Sequence, residues 1–250
     1  MNIFEFGQKN EKSLVMIHGA CMSWDMFRES VTLLQERFHI YTIAVPGHDL
    51  STEEEFTSVE AISRQIEDEL IARGQRQIDL LYGLSMGGGF VIRILADNRL
   101  IVKDAVIDAG ITPYEMPFMI TRLILLKDFL MIEWGKHSKK ALELAFPPER
   151  YTQEGVDEMF RVMRHMTAKT IWRVFDSTDN YSMPEQFPQL ETRIRYWYGE
   201  LEKKARKLDI AYVRKHIPNV EFREIPQMDH GEYALMSPGE LADDLIHVSF

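Results

Sequence analysis

The chain has 250 residues, 45% hydrophobic and 27% charged, the balance of a folded globular protein with room for one domain plus an inserted subdomain. Its 29 Lys and Arg against 39 Asp and Glu give a formal charge of −10, which repels a phosphate backbone and excludes the footprint of a nucleic-acid binder. The single cysteine, Cys21, has no partner for an internal disulfide and no basic-then-apolar leader follows Met1, so a cytoplasmic protein is expected.

Short runs rich in Val, Ile, Leu and Tyr predict strands at Leu14–Ile17, Ile40–Val45, Ile78–Tyr82, Ala105–Ile107, Ile194–Tyr198 and Val220–Ile225. Between the first two, Trp24, Phe27, Val31 and Leu34 share a helical face; after the second, so do Val59, Ile62, Ile66 and Leu70, behind a capping box from Thr57 to Glu60. Strands alternating with helices imply a mostly parallel sheet, an α/β fold. The alternation lapses between Ile111 and Thr192, where six prolines punctuate helical, Met-rich and aromatic sequence. Residues 113–190 therefore read as a helical cap inserted into a core of residues 1–112 and 191–250. Within the cap, Phe118–Trp134 is apolar but interrupted by Arg122, Lys127 and Asp128, short of the ~20 uninterrupted apolar residues of a bilayer span. Ser237, Pro238 and Glu240 sign the start of a last helix that carries Leu241, Leu245 and Ile246 inward.

The strand at Ile78–Tyr82 runs into Gly83-Leu84-Ser85-Met86-Gly87 and then a helix, which is the strand–turn–helix setting that a G-x-S-x-G nucleophile elbow needs. The turn strains the serine backbone, and a side chain at Gly83 or Gly87 collides with its surroundings. Composition gives roughly 0.04 chance matches to this pattern, before its context is considered. Ser85 is the candidate nucleophile. The glycines lack G-x-G-x-x-G spacing and no P-loop Lys-Ser/Thr follows, so a nucleotide is not expected.

His18-Gly19-Ala20-Cys21-Met22-Ser23-Trp24 follows the first strand, and Pro46-Gly47-His48 follows the second. With the elbow, these resemble the α/β-hydrolase family over about residues 14–110 and 192–250. The resemblance implies the α/β-hydrolase fold and backbone N–H groups of Ala20 and Met86 as an oxyanion hole, a device whose loss typically costs ~10² to 10³ in rate. It also implies that His230, in the loop Gln227-Met228-Asp229-His230-Gly231-Glu232 before the last helix, is the general base. His18 reads as a structural residue and Cys21 as a packed one. Where the family often has Gly-x-x-Asp after a late strand, this chain has Gly199-Glu200-Leu201-Glu202, which places Glu202 at the acid position; Asp108, ending the strand Ala105–Ile107, is the alternative acid, with Glu200, Asp229 or no acid at all as further possibilities.

No H-E-x-x-H or thiolate cluster is present in the sequence, so neither metal nor other cofactor is expected. Trp24, Phe118, Leu123 and Met131 are the candidate substrate contacts, the last three among the apolar residues of the cap expected to line a cavity above Ser85. The expected activity is hydrolysis of an ester or thioester of a small to medium apolar acyl group. The same constellation also serves C–C hydrolases, peptidases and acyltransferases, and a receptor that binds without turnover is a different class again. A small acyl compound is the expected partner; the sequence leaves oligomeric state open.

Overall fold

The computed structural model describes residues 1–249; Phe250, the last residue of the expected core, lies outside the described residues. The strands are β1 (Asn2–Phe6), β2 (Ser13–Ile17), β3 (His39–Ala44), β4 (Gln77–Leu84), β5 (Ile101–Asp108), β6 (Arg193–Gly199) and β7 (Val220–Ile225). They form one sheet in the order β1-β3-β2-β4-β5-β6-β7. Every neighbouring pair is parallel except β1 with β3, where Asn2 lies opposite Ala44 and Phe6 opposite Ile40. The six expected strands are all present. β1 is an addition: its residues, Asn-Ile-Phe-Glu-Phe, are half-buried at the sheet edge and lack the continuous apolar run of the central strands.

Helices α1 (Arg28–Leu34), α2 (Val59–Ala72), α3 (Met86–Asp97), α9 (Lys207–His216), α10 (Glu232–Met236) and α11 (Pro238–Ser249) accompany the sheet, α1 packing on α11 and α2 on α3. All five residues of β2 are buried, which explains its unbroken apolar sequence: a parallel strand covered on both faces has no solvent side. The cap of α2 differs from expectation by one residue. Ser58, not Thr57, accepts the bond from the Ala61 N–H at 3.1 Å, and Glu60 reaches instead to the backbone and hydroxyl of Ser182.

Five helices lie between β5 and β6: α4 (Phe118–Gly135), α5 (Lys139–Ala145), α6 (Pro148–Tyr151), α7 (Gln153–His165) and α8 (Ala168–Thr178). α7 buries Val156, Met159, Val162 and Met163, and α8 buries Ile171 and Val174, so each turns one apolar stripe inward. Among the described residues, no helix is long and apolar enough to cross a membrane.

A buried polar cluster lies where the chain leaves the core for this insert. Asp209 of α9 accepts bonds from the Thr112 N–H and hydroxyl at 2.8 and 3.0 Å and pairs with Arg206 at 3.2 Å. Asp179, just after α8, has a buried Oδ2 without a hydrogen-bond partner among the described residues. Burial, then the charges of Asp128 and Asp209, raise its carboxyl from 3.8 to about 7. Over the window between those values the folded chain keeps a proton that the unfolded chain has released, so this group's contribution to stability is lost as pH rises through about 7. Asp179→Asn is therefore expected to change stability little near pH 4 and to raise it increasingly as pH climbs toward 7, by about 2–4 kcal/mol at pH 8, as read from urea unfolding.

Candidate active site

β4 ends at Leu84 and α3 begins at Met86, so Ser85 alone makes the turn, with φ 55° and ψ −113°. A non-glycine residue in that region costs about 1–3 kcal/mol and persists only where its surroundings enforce it. Here they do: the Ser85 N–H donates to the Asp108 carbonyl at 2.7 Å, and its own carbonyl accepts from the Ile111 and Gly89 N–H groups, each at 3.2 Å. A Cβ on Gly87 would stand 2.1 Å from the Ile17 carbonyl oxygen, and one on Gly83 would stand 2.2 Å from that of Gly87. Both obstacles are backbone and cannot rotate aside. Gly87→Ala is expected to cost about 3 kcal/mol or more, seen as loss of soluble protein or a lowered urea midpoint.

The side chains meeting at this turn come from three parts of the chain. His230, in the loop between β7 and α10, places Nε2 2.9 Å from Ser85 Oγ and Nδ1 2.6 Å from Glu202 Oε2. An ionised carboxylate only accepts, so Nδ1 carries the proton and Nε2 is left to accept from the serine hydroxyl. Glu202 is held in turn by the Gly199 N–H, which donates to Oε1 at 2.9 Å, with Arg206 Nε 3.7 Å from Oε2. Burial pushes the Glu202 carboxyl up, but the bond and charge of His230, the Gly199 N–H and Arg206 outweigh it and hold the group below its usual value. The Glu202 side chain is 3% exposed and that of His230 36%, so the imidazole keeps an open side by which water can arrive.

Asp108, the alternative acid, is engaged elsewhere: its Oδ2 accepts from the Tyr82 hydroxyl at 2.7 Å. Burial, partly offset by that bond and reinforced by the charge of Glu202, raises its carboxyl to about 6. Glu200 accepts from the Gln227 N–H, and Asp229 accepts from the backbone N–H of His230, so neither carboxylate is bonded to the imidazole.

Met86 opens α3, where N–H groups have no partner within the helix and the dipole favours negative charge. Ala20 follows Gly19, whose Cα faces Ser85 closely enough that an added Cβ would lie 3.5 Å from the serine Cβ. His18 shapes this loop as a neutral ring: burial lowers it to about 4, Nε2 accepts from the Val45 N–H at 3.2 Å, and Nδ1 lies 2.8 Å from the Gly19 carbonyl. Cys21 is buried and its thiol is pushed up to about 12, which leaves it an inert packing residue.

The expected substrate contacts do not gather here. Trp24 stacks on Phe4 at 4.5 Å and lies against Phe6, so its ring covers the edge strand β1. Phe118, Leu123 and Met131 stand on open surface, because α4 packs through Thr121, Leu125, Ile132 and Gly135 and turns those three away. Two residues of the insert do reach the site, and sequence reasoning missed both. Glu158 of α7 accepts from the Ser23 N–H at 3.1 Å and hydroxyl at 2.5 Å, anchoring the loop after β2. Arg150 of α6 bonds Glu232, which accepts from the Asp229 N–H at 2.7 Å, and also the Gln227 carbonyl at 3.2 Å, bracing the His230 loop. Contacts spanning 135 and 82 positions leave no local signal to find them by.

The sequence pattern of the "Alpha/beta hydrolase family" matches residues 14–244. Among solved structures, the chain is similar to an alpha/beta hydrolase family protein from Desulfitobacterium hafniense, with a TM-score of 0.78 at 16% identity over 99% of both chains. It is also similar to a carboxylesterase of Nitrososphaera gargenis (TM-score 0.76, 16% identity, 99% of this chain and 93% of that one). A thermophilic esterase from Thermogutta terrifontis aligns with a TM-score of 0.75 at 14% identity over 99% of this chain and 92% of its own.

Proposed function

The chain belongs to the alpha/beta hydrolase family, and on that footing we propose that it is a serine esterase or thioesterase that acts through an acyl-enzyme on Ser85. The observation that carries the reading is the unbroken relay from Ser85 Oγ to His230 Nε2 at 2.9 Å and from Nδ1 to Glu202 at 2.6 Å. Ser85 attacks the substrate carbonyl while His230 takes its proton, and Glu202 stabilises the imidazolium so formed. The oxyanion is held by the N–H groups of Ala20 and Met86 at the start of α3, where the donors are fixed before charge develops. Collapse expels the alcohol or thiol with the proton from His230, and water activated by the same imidazole then releases the acid.

A small to medium apolar acyl group fits best. Leu84 and Met86 flank the nucleophile, and the cations near the relay are committed, Arg206 to Asp209 and Glu202, Arg150 to Glu232. Residues 113–190 serve as the cap in this reading, their grip on both site loops passing through Glu158 and Arg150. Esterases among the similar folds agree with it.

The test is covalent labelling by a fluorophosphonate followed by a panel of nitrophenyl esters. The expected result is one label, on the peptide containing Ser85, and best turnover with uncharged short to medium acyl groups. Sluggish labelling with tight binding of an acyl compound would make the protein a receptor, and best turnover with charged acyl groups would overturn the substrate class.

A further inference from the structure

From α4 we infer that two copies of this chain associate through its outer face. α4 meets the rest of the insert on one side, where Thr121, Leu125, Ile132 and Gly135 are buried. On the opposite side Met119, Leu123, Leu126, Leu130 and Trp134 follow one another at spacings of four, three, four and four residues, which sets them in a single line along the helix. Ile120 and Met131 flank that line, and the seven side chains are 43–68% exposed.

An amphipathic surface helix carries charge on this side. α7 of the same insert does so, exposing Gln153, Glu154, Arg161 and Arg164 opposite its buried stripe. With six of the seven aliphatic, and so at roughly 150 Å² or less for a full side chain, the low end of the aromatic range, the α4 face leaves on the order of 600 Å² of apolar surface open. That stands at the top of the roughly 300–600 Å² of the largest patch on an ordinary monomer and approaches the about 800 Å² that each partner contributes to a stable interface.

A second copy fits this face better than a lipid surface does. A membrane-lying helix draws affinity from basic residues facing anionic headgroups. Here the chain carries −10, and Lys127, the one cation within the stripe, already lies 3.0 Å from Asp128. A two-fold axis through the middle of the stripe sets the two helices antiparallel. Met119 of one copy then faces Trp134 of the other, Leu123 faces Leu130, and Leu126 sits beside its own counterpart. The five residues of the line then meet apolar on apolar, with each Lys127 beside the axis and held by its own Asp128, and the same patch serves both subunits, as an isologous interface requires.

The experiment is sedimentation velocity on the full chain at micromolar concentration, on wild type, Leu123→Glu/Leu130→Glu and, as a control, Leu144→Glu, an exposed position on α5 off the stripe. Wild type and the control are expected at twice the chain mass. The double variant is expected at the single mass, with a dissociation constant raised at least 100-fold and an unchanged far-UV spectrum. Independently, Leu126→Cys is expected to form a disulfide-linked dimer under mild oxidation, since Cys21 is buried and does not compete. A monomeric wild type overturns the proposal, as does a dimer that survives the double substitution or that fails to cross-link through Leu126→Cys. Co-sedimentation of monomers with phosphatidylcholine vesicles would name lipid as the occupant instead. If the double variant does not fold, the wild-type mass and the cross-link decide.

Discussion

Ser85→Ala is expected to lower kcat for a nitrophenyl ester by about 10⁴ to 10⁶-fold, which is about 5.5–8 kcal/mol of transition-state stabilisation. The loss is that large because, in the mechanism proposed above, the hydroxyl is the group that bonds to the acyl carbon; the proposed oxyanion donors and the imidazole remain but have no covalent step to assist. His230→Ala is expected to cost a similar factor, since an unassisted serine hydroxyl is a poor nucleophile at neutral pH. The double variant should be scarcely slower than either single one, because two members of one relay act as a unit. Folding should survive Ser85→Ala: alanine inherits the strained turn, and the backbone bonds to Asp108, Ile111 and Gly89 that hold it are kept. Steady-state kinetics with active-site titration by a fluorophosphonate separates this outcome from partial unfolding. A Ser85→Ala enzyme within tenfold of wild type, free of contaminating hydrolase, would remove the covalent mechanism altogether.

What could be read from the sequence follows the range over which each feature is determined. The tight turn at Ser85 was legible because its requirements lie within five residues: a Cβ on Gly83 or Gly87 would stand about 2 Å from a backbone oxygen, and only glycine fits there. The central strands were legible because a strand covered on both faces is apolar throughout, as β2 is. β1 was not, since its mixed residues gain meaning only from pairing with β3 some 38 positions away. The line of apolar residues on α4 was visible, but the side on which they lie was not. Periodicity says that Leu123 and Met131 share a region of the helix; it does not say whether that region meets a substrate, the core or solvent. The braces Glu158 and Arg150 depend on how the whole insert settles, so the sequence carried no trace of them.

The acid is where sequence left Glu202 and Asp108 ahead of Glu200, Asp229 and no acid at all, and where a pair of substitutions divides the first two. Glu202→Gln is expected to lower kcat by about 10³ to 10⁴-fold, the scale on which a serine-protease triad responds to loss of its carboxylate. A glutamine that keeps its amide nitrogen toward the ring turns a donor on Nδ1–H, which favours the tautomer with the proton on Nε2, facing the serine, where it cannot act as a base. Asp108→Asn is expected to cost less than about tenfold, because that carboxylate is already bonded to Tyr82 and bears on His230 only through its field. Glu202→Asp tests reach: one methylene shorter, its carboxylate cannot span both the Gly199 N–H and Nδ1, so an intermediate loss of about 10 to 100-fold is expected. Stability supplies a second readout with a definite sign. The Glu202 carboxyl lies below 4.5 in the folded chain, so its contribution is present above that value and is lost as pH falls through the folded one. The stability gap between wild type and Glu202→Gln should therefore be widest near neutral pH and close in acid, while Asp108→Asn, whose folded value is raised to about 6, should if anything be stabilised relative to wild type as pH rises past it. If kcat instead fell in Asp108→Asn and held in Glu202→Gln, the carboxylate that orients His230 in the working enzyme would be the one at the end of β5.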